Sequence, residues 1–133
     1  MVCVYCGQTS RVYNSRRQHR NNLVWRRRQC LNCSATYTSI EKPDLYSSWL
    51  VKGHTGTLKP FSEDRLYLSL YESLKHRPEA FIDARHITDT VIAKLYKLID
   101  QGIVNQEHIK QAAIVAMNRF DQAASIHYQA FHE

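Results

Sequence analysis

Cys3-Val4-Tyr5-Cys6, near the start of the chain, is answered by Cys30-Leu31-Asn32-Cys33, and the two pairs enclose 23 residues, 7 to 29. A Cys-x-x-Cys turn aims two thiolates at one point, and two such turns supply the four soft ligands of a closed tetrahedral zinc site. The customary separation is roughly 15–20 residues, so this loop is a little long but within what a ribbon tolerates. Two structural disulfides or a thioredoxin-like redox pair would use the same residue type. No apolar leader precedes Cys3, and neither pair opens a helix within a βαβ pattern, so both readings fit poorly. The spacing predicts one structural zinc ion held by Cys3, Cys6, Cys30 and Cys33.

The 133 residues allow one domain or two small ones. A module of about forty residues buries too little apolar surface to fold unaided, and a metal would supply the missing stability. Charge is segregated. Residues 1–45 carry eight Lys/Arg against Glu41 and Asp44, whereas residues 46–133 carry ten Lys/Arg against ten Asp/Glu. The formal charge of +6 therefore lives in the cysteine module, which implies a polyanion partner for that part. No apolar run approaches the roughly 18 residues needed to span a bilayer, and the chain reads as soluble and cytosolic.

The fold class expected is α+β: a small N-terminal β zinc ribbon joined to a mainly helical domain that opens with a short β-hairpin, with domains at 1–44 and 45–133. Strands are expected around Arg11–Tyr13, Leu23–Arg28 and Thr36–Ile40, with turn-rich residues 15–22 between the first two and a hinge at Lys42–Ser48. An extended piece at Ser48–Val51 leads through Lys52-Gly53-His54-Thr55-Gly56 and returns at Thr57–Phe61. Ser62 then reads as an N-cap, and Leu66, Leu70 and Leu74 form one helical stripe that Pro78 ends. A second helix carries Ile87, Val91, Ile92, Leu95 and Leu98 and closes at Gly102. A third runs from about Gln106 nearly to the end, on Ile109, Ala113, Ala116, Met117, Phe120, Ala124, Tyr128 and Phe131.

Arg26-Arg27-Arg28 precedes the second cysteine pair on an expected strand, so alternation sends Arg26 and Arg28 to one face and Arg27 to the other. Arg16, Arg17 and Arg20 are placed in the loop across the hairpin. Arginine's planar fork pairs phosphates and guanine edges, and Trp25 and Tyr13 add flat aromatic surface. The candidate nucleic-acid contacts are Arg11, Arg16, Arg17, Arg26, Arg27 and Arg28; from the residues alone DNA and RNA are not separated.

The chain resembles the NrdR family, zinc-ribbon/ATP-cone repressors of bacterial ribonucleotide reductase genes. The likeness runs through Cys3-Val-Tyr-Cys6-Gly7, Arg11-Val12-Tyr13-Asn14-Ser15-Arg16, Arg26-Arg27-Arg28-Gln29-Cys30, Cys33 and Tyr37-Thr38-Ser39-Ile40-Glu41. It implies that the ribbon's arginines touch double-stranded operator DNA. It also implies that the second domain is an ATP-cone, a nucleotide-sensing hairpin followed by helices. There Leu50-Val51-Lys52-Gly53-His54-Thr55-Gly56, Phe61 and Arg65 stand for the family's Val-x-Lys-Arg-Asp-Gly, Phe and Lys, and Lys75-His76-Arg77-Pro78 stands for its Lys-Arg-Pro turn. Residues 120–131, Phe120 to Phe131, are similar to the family's C-terminal segment. The departures are Gly53 for a basic residue, Lys59 for an acidic one, Ser125 for a tyrosine, His127 for an arginine and Ser34 for a glycine. The expected nucleotide site is Val51, Lys52, His54, Phe61 and Arg65, with Lys52 and Arg65 on phosphate and ATP or dATP as regulatory ligands.

The reading that follows is a cytoplasmic, nucleoid-associated bacterial repressor that forms homo-oligomers and whose assembly answers to ATP or dATP. A DNA-binding regulator whose degenerate cone only oligomerises, and an RNA-binding zinc ribbon, are the alternatives. An enzyme is not expected: four cysteines leave zinc no open position, and the sequence holds neither His-Glu-x-x-His nor a P-loop.

Overall fold

The computed structural model describes residues 1–132. They fall into two compact units, Met1–Pro43 and a second that opens at Asp44.

The first unit is one antiparallel sheet in the order β1-β2-β3, built from β1 (Ser10–Gln18), β2 (Leu23–Cys30) and β3 (Thr36–Glu41). β1 is longer than the sequence predicts. Residues 15–18, expected in a turn, pair with β2 as Ser15 with Arg26, Arg16 with Trp25, Arg17 with Val24 and Gln18 with Leu23. Arg16 and Arg17 therefore stand on a strand, and only His19–Asn22 turn, with Asn22 at φ 51°. Pairing along the whole of β2 overrides the turn propensity of Asn14 and Ser15. A register shift between Val12 and Asn14 bulges Tyr13 out of the ladder. The buried cluster is only Cys3, Cys30 and Tyr37. Tyr37 donates to the Val2 carbonyl at 2.9 Å and lies 2.6 Å from Ser10 Oγ, which fastens the N-terminal residues to the sheet.

The second unit begins with α1 (Leu45–Ser48), a single turn where a hinge was expected. β4 (Leu50–Lys52) and β5 (Leu58–Pro60) follow as the expected hairpin, then α2 (Glu63–Leu74) and α3 (Ala80–Leu95). Ser62 caps α2 as predicted, accepting the Arg65 amide at 3.2 Å. β6 (Ile103–Asn105), which the sequence reading missed, adds parallel to β4 and gives the order β5-β4-β6. Gly102 does not close α3, which ends at Leu95. It turns the chain into β6 at φ 76°, and a Cβ there would stand 3.2 Å from the Ser48 carbonyl. Leu98 lies beyond α3 and is exposed. The single long third helix is two: α4 (Gln106–Phe120) and α5 (Gln122–Phe131), broken at Asp121.

Leu66, Leu70 and Leu74 of α2 meet Ile87, Val91, Ile92 and Leu95 of α3 and Ala113, Met117, Ala124 and Tyr128 of α4 and α5 in one core. Trp49 plugs the strand end of that core, edge-on to Phe61 at 5.4 Å and to Tyr96 at 4.8 Å. Phe120 and Phe131, counted in the core stripe, are exposed, because the break at Asp121 rotates the two halves out of one register. No helix among the described residues is long and apolar enough to cross a membrane.

Candidate functional site

The two cysteine turns bring four Sγ atoms within 4.8 Å of one another. Cys3 Sγ lies 3.8 Å from Cys33 Sγ, and Cys6 Sγ 3.4 Å from Cys30 Sγ. These are too long for disulfides. They lie near the edge of about 3.8 Å of the tetrahedron that Zn–S bonds of about 2.3 Å require. The residues fit a closed structural zinc site.

Each turn is shaped to hold its thiolates. Tyr5 N–H donates to Cys3 Sγ at 3.4 Å, and the Asn32 and Cys33 amides donate to Cys30 Sγ at 3.3 and 3.4 Å. The residue after each second cysteine is left-handed: Gly7 at φ 77° and Ser34 at φ 63°. The Cys33 amide, with that of Asn32, holds the Cys30 thiol down at about 6 against the pull of burial. The Ala35 amide pulls the Cys33 thiol the same way. Burial and its three thiol neighbours outweigh that and push it up to about 11, as four groups crowding one point must do.

The register sorts the basic residues onto two faces. Arg27, opposite Asn14 and Thr38, shares its side with Trp25, opposite Arg16 and Ile40, and with Gln29, opposite Arg11. Arg26 and Arg28 lie on the reverse with Arg17, so the alternation read from the sequence holds. The first face carries exposed Trp25, Ile40 and Tyr13, and Asn14, Arg16, Trp25, Arg27 and Thr38 line a shallow concavity on it. Arg27 is held by neutral groups alone, donating to Tyr13 Oη at 3.2 Å, Thr38 Oγ1 at 3.1 Å and Thr36 Oγ1 at 2.9 Å. Arg26 is ion-paired to Glu41 at 2.7 Å. Arg28 donates to Ser39 Oγ at 2.9 Å.

In the second unit a cavity of about 610 Å³ opens between the hairpin, the start of α2, the start of α4 and the end of α5. Val51, His54, Phe61 and Arg65 line it, four of the five residues expected at a nucleotide site. Lys52 does not. Strand alternation turns Val51 inward, and Lys52 follows it exposed on the other side. The sequence reading missed Gln106, Glu107 and Lys110 of α4 and Tyr128 and His132 near the end. The signal for the first three is Asn105, which caps α4 by accepting the Glu107 amide at 2.9 Å. His127, in place of the family's arginine, is absorbed elsewhere: its Nδ1 lies 2.9 Å from Ser73 Oγ, and its ring packs on Phe131.

Residues 1–41 match the family model described as "Transcriptional repressor NrdR-like, N-terminal domain". The proteins named Transcriptional repressor NrdR from Sinorhizobium medicae and Rhizobium meliloti are each 30% identical to the chain over 135 residues, covering 99% of it and 83% of themselves. The chain belongs to the NrdR family. The Latilactobacillus sakei NrdR is 26% identical over 133 residues, with the same coverage. The likeness to NrdR thus extends past the ribbon through the helical unit. These NrdR relatives are named as repressors, a non-enzymatic role, and the four-cysteine cluster coincides with the matched zinc-ribbon segment.

Proposed function

We propose that this chain is a DNA-binding transcriptional repressor of ribonucleotide reductase genes whose cone unit takes ATP or dATP and thereby changes its oligomeric state. Residues 1–44 serve as the DNA-binding domain, and residues 45–133 sense nucleotide and assemble. The observation that carries the reading is the basic sheet: six arginines on a metal-clamped scaffold, in a chain related end to end to proteins named as repressors. Two adjacent strands of the sheet can enter a major groove, where guanidinium groups reach phosphates and guanine edges. Arg11, Arg16 and Arg27 stand beside exposed Trp25, and Arg17, Arg26 and Arg28 stand on the reverse to engage the flanking backbone.

The cavity of the second unit supports the nucleotide half of the reading. Apolar Val51 and Phe61 offer a floor for a base, while Arg65 and Lys110 offer cations to phosphates and His54 an imidazole beside them. A single ribbon makes few contacts, so affinity depends on several ribbons reaching repeated sites together. A nucleotide then controls repression by favouring one assembly over another. Such a regulator works in the cytoplasm, on the nucleoid.

A gel-shift titration of the zinc-loaded protein tests this, using the host's ribonucleotide reductase promoter against unrelated DNA, with and without ATP and dATP. Selective binding that shifts with nucleotide is expected. Binding indifferent to nucleotide removes the sensing half. Equal binding to unrelated DNA, or a preference for RNA, removes the regulator reading.

A further inference from the structure

Two uncharged side chains on the Trp25 face of the ribbon stand among its arginines without a partner in the fold. Trp25 itself is exposed on the middle strand and adds nothing to the buried cluster of Cys3, Cys30 and Tyr37. Asn14 is exposed on β1, and among the described residues its side-chain amide makes no hydrogen bond. It therefore keeps both a donor and an acceptor for something outside the chain.

Strand pairing brings the two together. Asn14 is opposite Arg27 and Arg16 is opposite Trp25, so Asn14 and Trp25 are diagonal neighbours on one face, within reach of an aromatic ring. With Arg16, Arg27 and Thr38 they line a concavity of about 220 Å³. Pockets that enclose a whole small molecule run to roughly 300–1,000 Å³, so this hollow suits the edge of a base and not an extruded nucleoside. Arg27 is held at its wall by Tyr13, Thr36 and Thr38. Arg16 has no hydrogen-bond or ion-pair partner among the described residues and lines the hollow as a free cation.

We infer that Asn14 and Trp25 form a base-reading pair for A·T in the major groove: the Asn14 amide accepts from adenine N6 and donates to N7, and the Trp25 ring covers the methyl group of the paired thymine. The inference rests on the reading of the ribbon as a DNA-binding domain and adds what the ribbon discriminates between its arginines. In the major groove adenine alone sets an acceptor beside a donor on one base, which is what a carboxamide pairs with. Guanine offers two acceptors there and would leave Asn14 Oδ1 facing O6. Cytosine has no methyl group for the ring to cover. A G·C pair at this position thus loses both contacts at once.

Anisotropy titration of the full zinc-loaded chain tests this, with the host's ribonucleotide reductase promoter made as natural duplex, with deoxyuridine for thymidine, and with 7-deazaadenine for adenine. The first change keeps the base pairs and removes only the methyl groups; the second removes N7. Each should weaken wild-type binding by roughly threefold or more, the worth of one methyl contact or one hydrogen bond. Trp25→Ala should no longer distinguish deoxyuridine from thymidine DNA. Asn14→Ala should lose the response to 7-deazaadenine and keep the response to deoxyuridine. A merely structural defect would lower all affinities together and leave both ratios in place. Zinc content and melting of each variant are measured first; if Trp25→Ala fails to fold, Trp25→Phe, with a reduced methyl response expected, decides in its place. If the wild type binds all three duplexes equally, or the variants discriminate as it does, the base-reading pair is overturned while DNA binding stands. Tighter binding to the single strand than to the duplex also overturns it, because Trp25 would then be stacking on unpaired bases. If the wild type binds no duplex DNA, both readings fall.

Discussion

Arg77 Nη1 and Asp121 Oδ2, 44 residues apart in sequence, meet at 3.0 Å, and His76 Nε2 approaches the same oxygen at 2.8 Å. The other oxygen, Oδ1, accepts the Ala124 amide at 3.1 Å and caps α5. Arg77 also donates to Asp83 Oδ2 at 2.8 Å and lies over the Phe120 ring at 4.4 Å. One side chain thus ends α4, starts α5 and pins both to the turn between α2 and α3. Asp121→Ala is expected to destabilise the second unit by at least the roughly 1 kcal/mol of a lost cap, read from urea unfolding followed by helical circular dichroism. Asp121→Asn keeps a capping oxygen and should cost less. Equal losses in the two variants would mean that the charge, and not the cap, is what matters.

The same carboxyl makes stability depend on acid. His76, then the Ala124 amide and Arg77, hold Asp121 well below the ordinary carboxylate range. With the folded value depressed, the unfolded chain takes up the proton first as pH falls. The contribution is complete above the unfolded value of about 4 and disappears as pH drops from there through the folded value. Melting curves taken from about pH 7 to about pH 3 should therefore fall more steeply for the wild type than for Asp121→Asn. Parallel profiles would assign the acid sensitivity to another group.

Zinc is expected to decide the fate of the first unit alone. Its buried cluster of Cys3, Cys30 and Tyr37 is too small to offset the entropy of ordering 43 residues. Cys33→Ala or a strong chelator should abolish the sheet and DNA binding and leave the cooperative unfolding of the helical unit in place. The left-handed positions offer a finer test. No atom lies within 4 Å of a Cβ built at Gly7, so Gly7→Ala meets only the backbone cost of about 1 kcal/mol, several-fold in zinc affinity. Ser34→Gly should move the other way, because serine already bears that cost. Chelator competition measures both; a Gly7→Ala protein that retains zinc like the wild type would contradict the role given to this turn.

The zinc ribbon was legible because its signal is chemical: four cysteines at fixed spacing permit few folds. The apolar stripes were legible for a similar reason, and Leu66, Leu70, Leu74, Ile87, Val91 and Met117 lie where periodicity put them. What failed depends on partners distant in sequence. β6 is three residues long and exists because Val51 and Val104 stand side by side on β4 and β6. The stripe from Ile109 to Tyr128 hides the break at Asp121, because a capping aspartate and an ordinary helical one look alike until His76 and Arg77 are in place. At the cavity, motif reading chose Lys52 by its place in a loop. Lys52 is exposed and outside the cavity lining, and Lys110 lines it from α4, a closeness that only the tertiary fold provides.

The sheet's two faces make the DNA contact testable residue by residue. Arg27 is fixed by Tyr13, Thr36 and Thr38, so its charge is oriented and uncompensated, whereas Glu41 already offsets Arg26. Arg27→Ala is expected to weaken operator binding and to flatten the dependence of affinity on salt by roughly 0.9, the share of one phosphate contact. Arg26→Ala should cost less. Glu41→Gln, which frees Arg26, should strengthen binding at low salt, with the gain fading as salt rises. Trp25 shares the Arg27 face and is 42% exposed, while Trp49 is buried at 7%, so DNA that docks on this face should quench Trp25 emission and spare Trp49. A larger loss from Arg26→Ala, with unquenched Trp25, would put the DNA on the reverse face. Glu41 would then stand at the interface as a repulsive group, and its removal should give a larger gain at low salt than it gives for DNA on the Trp25 face.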